Sequence, residues 1–180
     1  MTPIILRFAG KEDCEDIFRW RNDQVTVMYS QSGTVQWENH LRWFEEKLNS
    51  PDTHLFIAVN GTSEKIGMVR FDIQPEEEKE KEGKKAEVSI NLNPSFRSQG
   101  YGKKVLQEAL DIYFANFPVQ LIFARIMPKN LVSLNLFQKM GFREEGKTEN
   151  RIENRMENRE ENSTESKMVR MVKERSSERV

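Results

Sequence analysis

Only one cysteine, Cys14, occurs in 180 residues. No internal disulfide can form, which agrees with a reducing compartment. Histidine is nearly as scarce, with His40 and His54 alone, and no metal is expected. No apolar run approaches the ~20 residues that cross a bilayer. The opening Met1-Thr2-Pro3-Ile4 has no basic stretch leading into an apolar one, so no signal peptide is read there. Neither sign of charge dominates, with 28 basic residues against 29 acidic. That balance excludes the basic excess of a dedicated nucleic-acid or anionic-membrane binder. These absences together lead to the expectation of a soluble cytoplasmic protein without nucleic-acid or membrane partners.

What is present is unevenly spread. Hydrophobic residues make up 37% and charged residues 32%, and the apolar ones concentrate before Phe142. The length fits one domain with a modest excess. Ile4 to Ala9 alternates as a first strand. Glu12 to Arg21 has helical spacing, and Asn22-Asp23 stops it. A second helix is expected from Val35 to Leu48, capped by Thr34, with Trp37, Leu41, Phe44 and Leu48 as its buried stripe. His54 to Val59 and Ile66 to Ile73 are strands joined by Asn60-Gly61-Thr62-Ser63, which predicts an antiparallel hairpin. Pro75 to Lys85 is a charge-dense loop. Ala86 to Leu92 is a fourth strand, Lys103 to Asn116 a helix and Leu121 to Ile126 a fifth strand. Asn130 to Met140 is a helix with the stripe Leu131, Leu134 and Phe137. Gly141 ends it and Phe142 opens another strand. From Thr148 to Ser166 the triplet Glu-Asn-Arg recurs every four residues. Such a segment cannot bury a core and reads as disordered or as a loop. If Lys167 to Val172 forms the last strand, the repeat is an insertion in a terminal hairpin. If not, everything after about Lys147 is a tail. The division expected is therefore a domain over 1–147, a charged repeat over 148–166, and a possible last strand with a tail over 167–180.

The chemically informative unit is the strand, loop and helix from Ala86 to Asn116. Two glycines at a loop-to-helix junction let backbone N–H groups converge without side chains in the way. The first helical turn adds unpaired donors and partial positive charge, so the junction suits phosphate. Arg97 and Lys103 would add charge on either side. A P-loop is excluded, because Gly102-Lys103 is followed by Lys104 and lacks the earlier glycine. The dinucleotide fingerprint is excluded as well, because only Gly100 and Gly102 are present.

The loop Arg97-Ser98-Gln99-Gly100-Tyr101-Gly102, with Asn130-x-x-Ser133-x-x-x-Phe137-x-x-x-Gly141-Phe142 one strand later, resembles the two signatures of the GNAT acetyltransferase superfamily. The resemblance covers about Ile4 to Lys147. It implies an α/β GNAT fold: a twisted, mostly antiparallel mixed sheet with flanking helices and splayed fourth and fifth strands. It implies acetyl-CoA as co-substrate. Backbone groups of Ile90 and Leu92 would pair with the pantetheine arm, and the amides of Gln99 to Lys103 would hold the pyrophosphate. Asn130 would contact the co-substrate near its thiol, with Ser133 close by and Phe137 bordering it. The sequence departs from the family where Phe137 stands in place of the usual tyrosine acid, so no general acid is assigned.

Candidates for the base are fewer. Strand alternation puts Glu87, Ser89 and Asn91 on one face of the fourth strand, which suggests a polar cleft. Glu87 also stands where several GNAT enzymes carry a general base, and partial burial suits a carboxylate to proton uptake near neutral pH. The structural alternative is an ion pair with Arg70 or Lys85. His40 is the second candidate, contacting the acceptor or relaying a proton, with a boundary residue as its alternative.

The residues Leu6-Arg7, Phe18-x-Trp20-Arg21-Asn22-Asp23 and Trp37-Glu38-Asn39-His40-Leu41-Arg42-Trp43-Phe44 resemble acetyltransferases of pseudaminic and related nonulosonic acid synthesis. This implies acetyl transfer to the 4-amino group of a nucleotide-linked amino sugar, by direct attack in a ternary complex, in a monomer or homodimer. Two other readings share these residues. One is acetylation of ribosomal-protein N-termini. The other is a catalytically weak acetyl-CoA-binding module.

Overall fold

The computed structural model describes residues 3–75, 83–145 and 168–175. The chain runs through β1 (Ile5–Phe8), α1 (Cys14–Arg21), α2 (Gln24–Met28), α3 (Trp37–Asn49), β2 (Thr53–Val59), β3 (Lys65–Ile73) and β4 (Lys84–Leu92). It continues through α4 (Tyr101–Asn116), β5 (Val119–Ile126), α5 (Leu131–Lys139), β6 (Arg143–Glu144) and β7 (Val169–Glu174). The seven strands form one sheet in the order β1-β2-β3-β4-β5-β7-β6. β4 and β5 pair in parallel, and the other described pairs are antiparallel. The hairpin read at Asn60-Gly61 is β2–β3. The last strand, β7, lies between β5 and β6 in the sheet, starting two residues later than Lys167–Val172 would suggest. The Glu-Asn-Arg repeat lies outside the described residues.

Strand alternation builds a core on each face of the sheet. Phe56, Ala58, Val69, Phe71, Ala86 and Val88 point to α4 and α5. There α4 contributes Val105, Leu106, Ala109, Leu110 and Tyr113, all fully buried. Tyr113 stacks on Phe71 with ring centroids 3.8 Å apart. Leu55, Ile57 and Met68 face the other way and pack against Ile17, Trp20 and Phe44 of α1 and α3. No described helix is long and apolar enough to cross a membrane.

Several boundaries differ from those read in sequence. Asn22-Asp23 does end α1, but Asp23 also caps α2, accepting from the N–H groups of Val25 and Thr26 at 3.1 and 3.3 Å. Helix α3 begins at Trp37 with Gln36 at its cap, so Thr34 caps nothing. Its buried residues are His40 and Phe44, while Trp37 and Leu41 are 36% and 37% exposed. In α5, Leu131 is 64% exposed, although Phe137 is buried as its spacing requires. In both helices the periodicity gave the element but not its rotation, which the facing sheet sets.

One charge cluster ties the N-terminal segment to the sheet. Asp13 is fully buried. Its carboxylate accepts from Arg7 at 2.7 and 2.8 Å and from the Gly10 N–H at 2.8 Å, with the Lys65 ammonium 2.7 Å away. Burial alone would raise its pKa, but these donors outweigh burial and draw it from 3.8 to about 2. A carboxyl depressed in the fold stabilises it above the unfolded pKa, and that contribution of about 2 kcal/mol fades as pH falls from about 4 towards 2. Asp13→Asn should destabilise the protein at neutral pH by about 3 kcal/mol, because Arg7 and Lys65 lose their shared counter-charge. In urea titrations the gap between wild type and variant should narrow below about pH 3, where the wild-type carboxyl also takes up a proton. A gap that persists there would remove the carboxylate as its cause.

Candidate active site

The pairing of β4 with β5 runs only from Lys84↔Val119 to Glu87↔Phe123. Beyond it, Val88–Leu92 pairs with β3 alone, and Ala124–Ile126 pairs with β7. The two parallel strands therefore fork, and the β4 backbone past Glu87 borders a gap. At the end of β4 the chain turns through Asn93, whose side chain accepts from the Ser95 N–H and donates to the Lys65 carbonyl, at 3.1 and 2.9 Å. It then enters α4 through Gly100.

Gly100 takes φ +81°, the left-handed region where a side chain is strained. A Cβ there would meet nothing within 4 Å, so the backbone faces open space. No side chain caps the start of α4. Gly102 has an ordinary backbone but sits between strand and helix. A Cβ on it would lie 3.5 Å from both Leu92 and Leu136, so loop, β4 and α5 converge there. An anionic group meeting the first turn of α4 would find its donors, with the positive end of a 16-residue helix behind them. The chemistry of this cradle fits a diphosphate.

The side chains around the cradle have their own partners. Ile90 and Leu92 pack from β4 onto the core and leave their backbone to the gap. Gln99 Nε2 donates to the Ser95 carbonyl at 2.8 Å, and Tyr101 meets Phe96 edge-on. Ser98, like Gly100, has a positive φ, +59°. Lys103 follows in the first turn of α4. Arg97 was expected to lend charge to phosphate, but its guanidinium turns away. It bonds to Asp23, to the Thr26 hydroxyl at 2.9 Å and to the Leu92 carbonyl at 3.1 Å. On α5, Asn130 is the N-cap and its side-chain oxygen accepts from the Ser133 N–H at 3.1 Å. Phe137 was expected to border the co-substrate, but it is 2% exposed and packs edge-on against Phe142. It supports the wall of the gap from within the core.

Glu87 sits at the last paired step, where the fork begins. Its ion pair is with Arg125, in place of the Arg70 or Lys85 pairing expected of a structural carboxylate. Both its oxygens are held by Arg125 on β5, at 3.1 Å from Nε and 2.6 Å from Nη2. Arg125 thus spans the mouth of the fork, and sequence reading missed it because the parallel register brings it there. Opposite Glu87 on β3 lies Asp72, which is engaged by Arg70, Lys47 and Thr53.

His40 is placed differently from expectation. It is 2% exposed, and its Nε2 donates to the Cys14 carbonyl at 2.9 Å, joining α3 to α1. Phe18, Trp37, Trp43 and Phe44 surround the ring. Burial lowers its pKa, so the ring stays neutral near pH 7. A ring enclosed in this way positions a helix and does not reach an acceptor.

A second missed residue is Arg21, the last residue of α1. Its Nη2 contacts the hydroxyls of Ser30 and Ser32, the latter at 2.7 Å, and its buried Nη1 has no hydrogen-bond partner among the described residues. Burial lowers its pKa, and no carboxylate offsets that among the described residues. The only hint in sequence is its place in the run Trp20-Arg21-Asn22-Asp23.

Comparison with known proteins adds to this geometry. A Bacillus subtilis (strain 168) protein provisionally named phosphinothricin acetyltransferase YwnH is 30% identical over 146 residues, 79% of this chain and 86% of its own. Acetyltransferase PseH of Campylobacter jejuni is 25% identical over 134 residues, 74% of this chain and 78% of its own. The chain spans only 29% of the length of another relative, an uncharacterized Methanocaldococcus jannaschii protein that it matches at 24% identity. Among solved structures, aminoglycoside acetyltransferase AAC(6')-Ib in complex with coenzyme A superposes with a TM-score of 0.74. That superposition covers 96% of this chain and 95% of that one at 19% identity, a likeness of fold. The family model for the acetyltransferase (GNAT) domain matches residues 4–143. That span takes in β4, the Gly100 loop, α4, β5 and α5, and on its extent the chain belongs to the GNAT acetyltransferase family, with acetyl-CoA as co-substrate.

Proposed function

We propose that the protein transfers acetyl from acetyl-CoA to the primary amine of a small molecule, by direct attack in a ternary complex. The observation that carries this is the fork: a strand freed from its neighbour at Glu87 whose chain leads straight to the left-handed Gly100 and the uncapped start of α4. The amides from Gln99 to Lys103 hold the diphosphate, and the β4 backbone at Ile90 and Leu92 receives the pantetheine arm. Asn130 stands at the thiol end, beside Ser133. The amine attacks the thioester carbonyl, the C–N bond forms, and the C–S bond breaks with departure of the thiolate. The proton lost by the amine goes to Glu87, which must first exchange part of its contact with Arg125. Phe137 offers no proton to the thiolate, so none is routed through it. His40 acts only through the helix it anchors.

For the acceptor, the reading is the 4-amino group of a nucleotide-linked amino sugar. The N-terminal motifs resemble enzymes of that chemistry, and acetyltransferase PseH is among the relatives. Arg21 adds a physical reason. A guanidinium that is desolvated without a counter-charge is costly, and an anionic acceptor group would relieve it. A polycationic acceptor such as a polyamine would add to the same cost. The cytoplasm, with its supply of acetyl-CoA, is the compartment this reading implies.

The deciding experiment follows thiol release from acetyl-CoA with three acceptors: a uridine-diphosphate 4-amino sugar, a ribosomal-protein N-terminal peptide and spermidine. Preference for the sugar nucleotide is expected, and preference for either of the others would refute that acceptor. Gly100→Asp should weaken acetyl-CoA binding by about 10-fold or more, since it places bulk and negative charge in the open cradle. Unchanged affinity by calorimetry would remove the loop from the site. Glu87→Gln should lower kcat near neutral pH by about 100-fold with little change in acetyl-CoA affinity. A normal rate would exclude Glu87 as the base. Arg21→Met should raise KM for the sugar nucleotide by about 10-fold, the worth of one hydrogen bond to a charged group. An equal effect on an uncharged amine would show that Arg21 serves the fold and not the anion.

A further inference from the structure

Helix α2 is five residues long, too short to persist by its own backbone bonds. None of its residues is buried, and Val25 and Met28 are 49% and 57% exposed. Core packing therefore does not hold it, and its polar contacts must. Those contacts run to the acetyl-CoA loop. The Arg97 guanidinium bonds to Asp23, the N-cap of α2, and to the Thr26 hydroxyl. The same group bonds to the carbonyl of Leu92, the last residue of β4. Thr26 adds a hydroxyl bond of 3.3 Å to Asn91. On the far side, Asn22 bonds both backbone groups of Val35 at 2.8 Å and closes the 22–35 segment into one flap. Arg97 is followed at once by Ser98 and Gly100, both with positive φ. Any setting of that loop by a bound diphosphate is thus one residue from the guanidinium that fixes α2.

Asp23 and Arg97 are each about 23% exposed, so the pair is partly shielded from water. The bond from Arg97 is also the main reason the Asp23 carboxyl sits below its ordinary pKa range. Arg97 already has its counter-charge, and a diphosphate would have to compete with Asp23 for it.

We propose that Arg97 is a positioning residue that tethers the α2 flap to the acetyl-CoA loop, so that acetyl-CoA binding orders the flap carrying Ser30 and Ser32 beside Arg21. The inference rests on the acetyl-transfer reading and deepens it. Arg97 acts on the acceptor side of the site and not on the pyrophosphate. Because coupling is reciprocal, an acceptor that settles the flap also tightens acetyl-CoA binding.

Hydrogen–deuterium exchange of the full chain, with calorimetry of acetyl-CoA on the same samples, tests the tether without an acceptor. In the wild type, saturating acetyl-CoA should slow exchange at Val25–Met28 on the order of 10-fold. In Arg97→Gln and Asp23→Asn that response should vanish, while acetyl-CoA affinity stays within about 3-fold of wild type. Asp23→Asn keeps a good N-cap, so its helix should survive the loss of charge. Arg97→Lys restores charge but not the three-way reach of a guanidinium, and should recover only part of the response. Equal slowing in wild type and both tether-breaking variants would overturn the proposal. So would an affinity loss of about 10-fold or more in Arg97→Gln, which would return Arg97 to the pyrophosphate. Acetyl-CoA binding without any response in α2 of the wild type sinks the tether alone. No binding by the wild type sinks the transfer reading and the tether with it.

Discussion

The parallel pairing of β4 and β5 ends at Glu87 and Phe123, and the rest of the site depends on that early stop. Backbone groups along a strand edge must find partners. Up to Glu87 the partner is β5. Past it, β4 keeps only β3, while β5 keeps β7, which lines its other edge from Leu121 to Ile126. The freed edge is what an extended co-substrate arm can join, in the manner of an added strand. β7, from the far end of the chain, covers the other edge of β5.

Around the fork the sheet separates two kinds of work. The α4 face is a dry core, with Phe71 and Tyr113 stacked and Val105, Leu106 and Leu110 fully buried. It gives α4 a rigid base and so fixes where its first turn points. The other face carries Asp72, Glu87, Arg70 and Arg125 in paired charges beneath α1 and α3. A rigid apolar side and a polar side meet at the gap. On the proposed reading, that division lets one strand offer backbone to the co-substrate and a carboxylate to the amine.

The charges on the acceptor side show a graded use of pairing. Asp13 is buried with three donors and anchors the N-terminal segment. Glu87 is held by one arginine at the mouth of the fork, firmly enough to be positioned and near enough to the gap to be reached. Among the described residues Arg21 has hydroxyls but no carboxylate, which leaves it suited to an outside anion. The order from fully paired to unpaired follows the path from scaffold to proposed acceptor.

Local signals determined much of this protein by sequence alone. Apolar periodicity located most elements, Asn60-Gly61 located the hairpin, and the spacing of Gly100 and Gly102 after a strand located the uncapped, glycine-lined start of α4. These are legible because propensity, turn chemistry and helix-start donors act within a few residues. What the tertiary structure decided involves partners distant in the chain. The fork is set by where the β4–β5 register stops, at Glu87 and Phe123. Glu87 meets Arg125, 38 positions away, in place of a neighbour. Arg97 reaches back 74 positions to Asp23, which turns a phosphate ligand expected from its motif into a tether. His40 looked available on a helix face until the rotation of α3 against the sheet buried it. Side-chain identity states what a residue can bond, but only packing selects which of the possible partners arrives, because that choice minimises the unpaired polar groups of the whole fold at once.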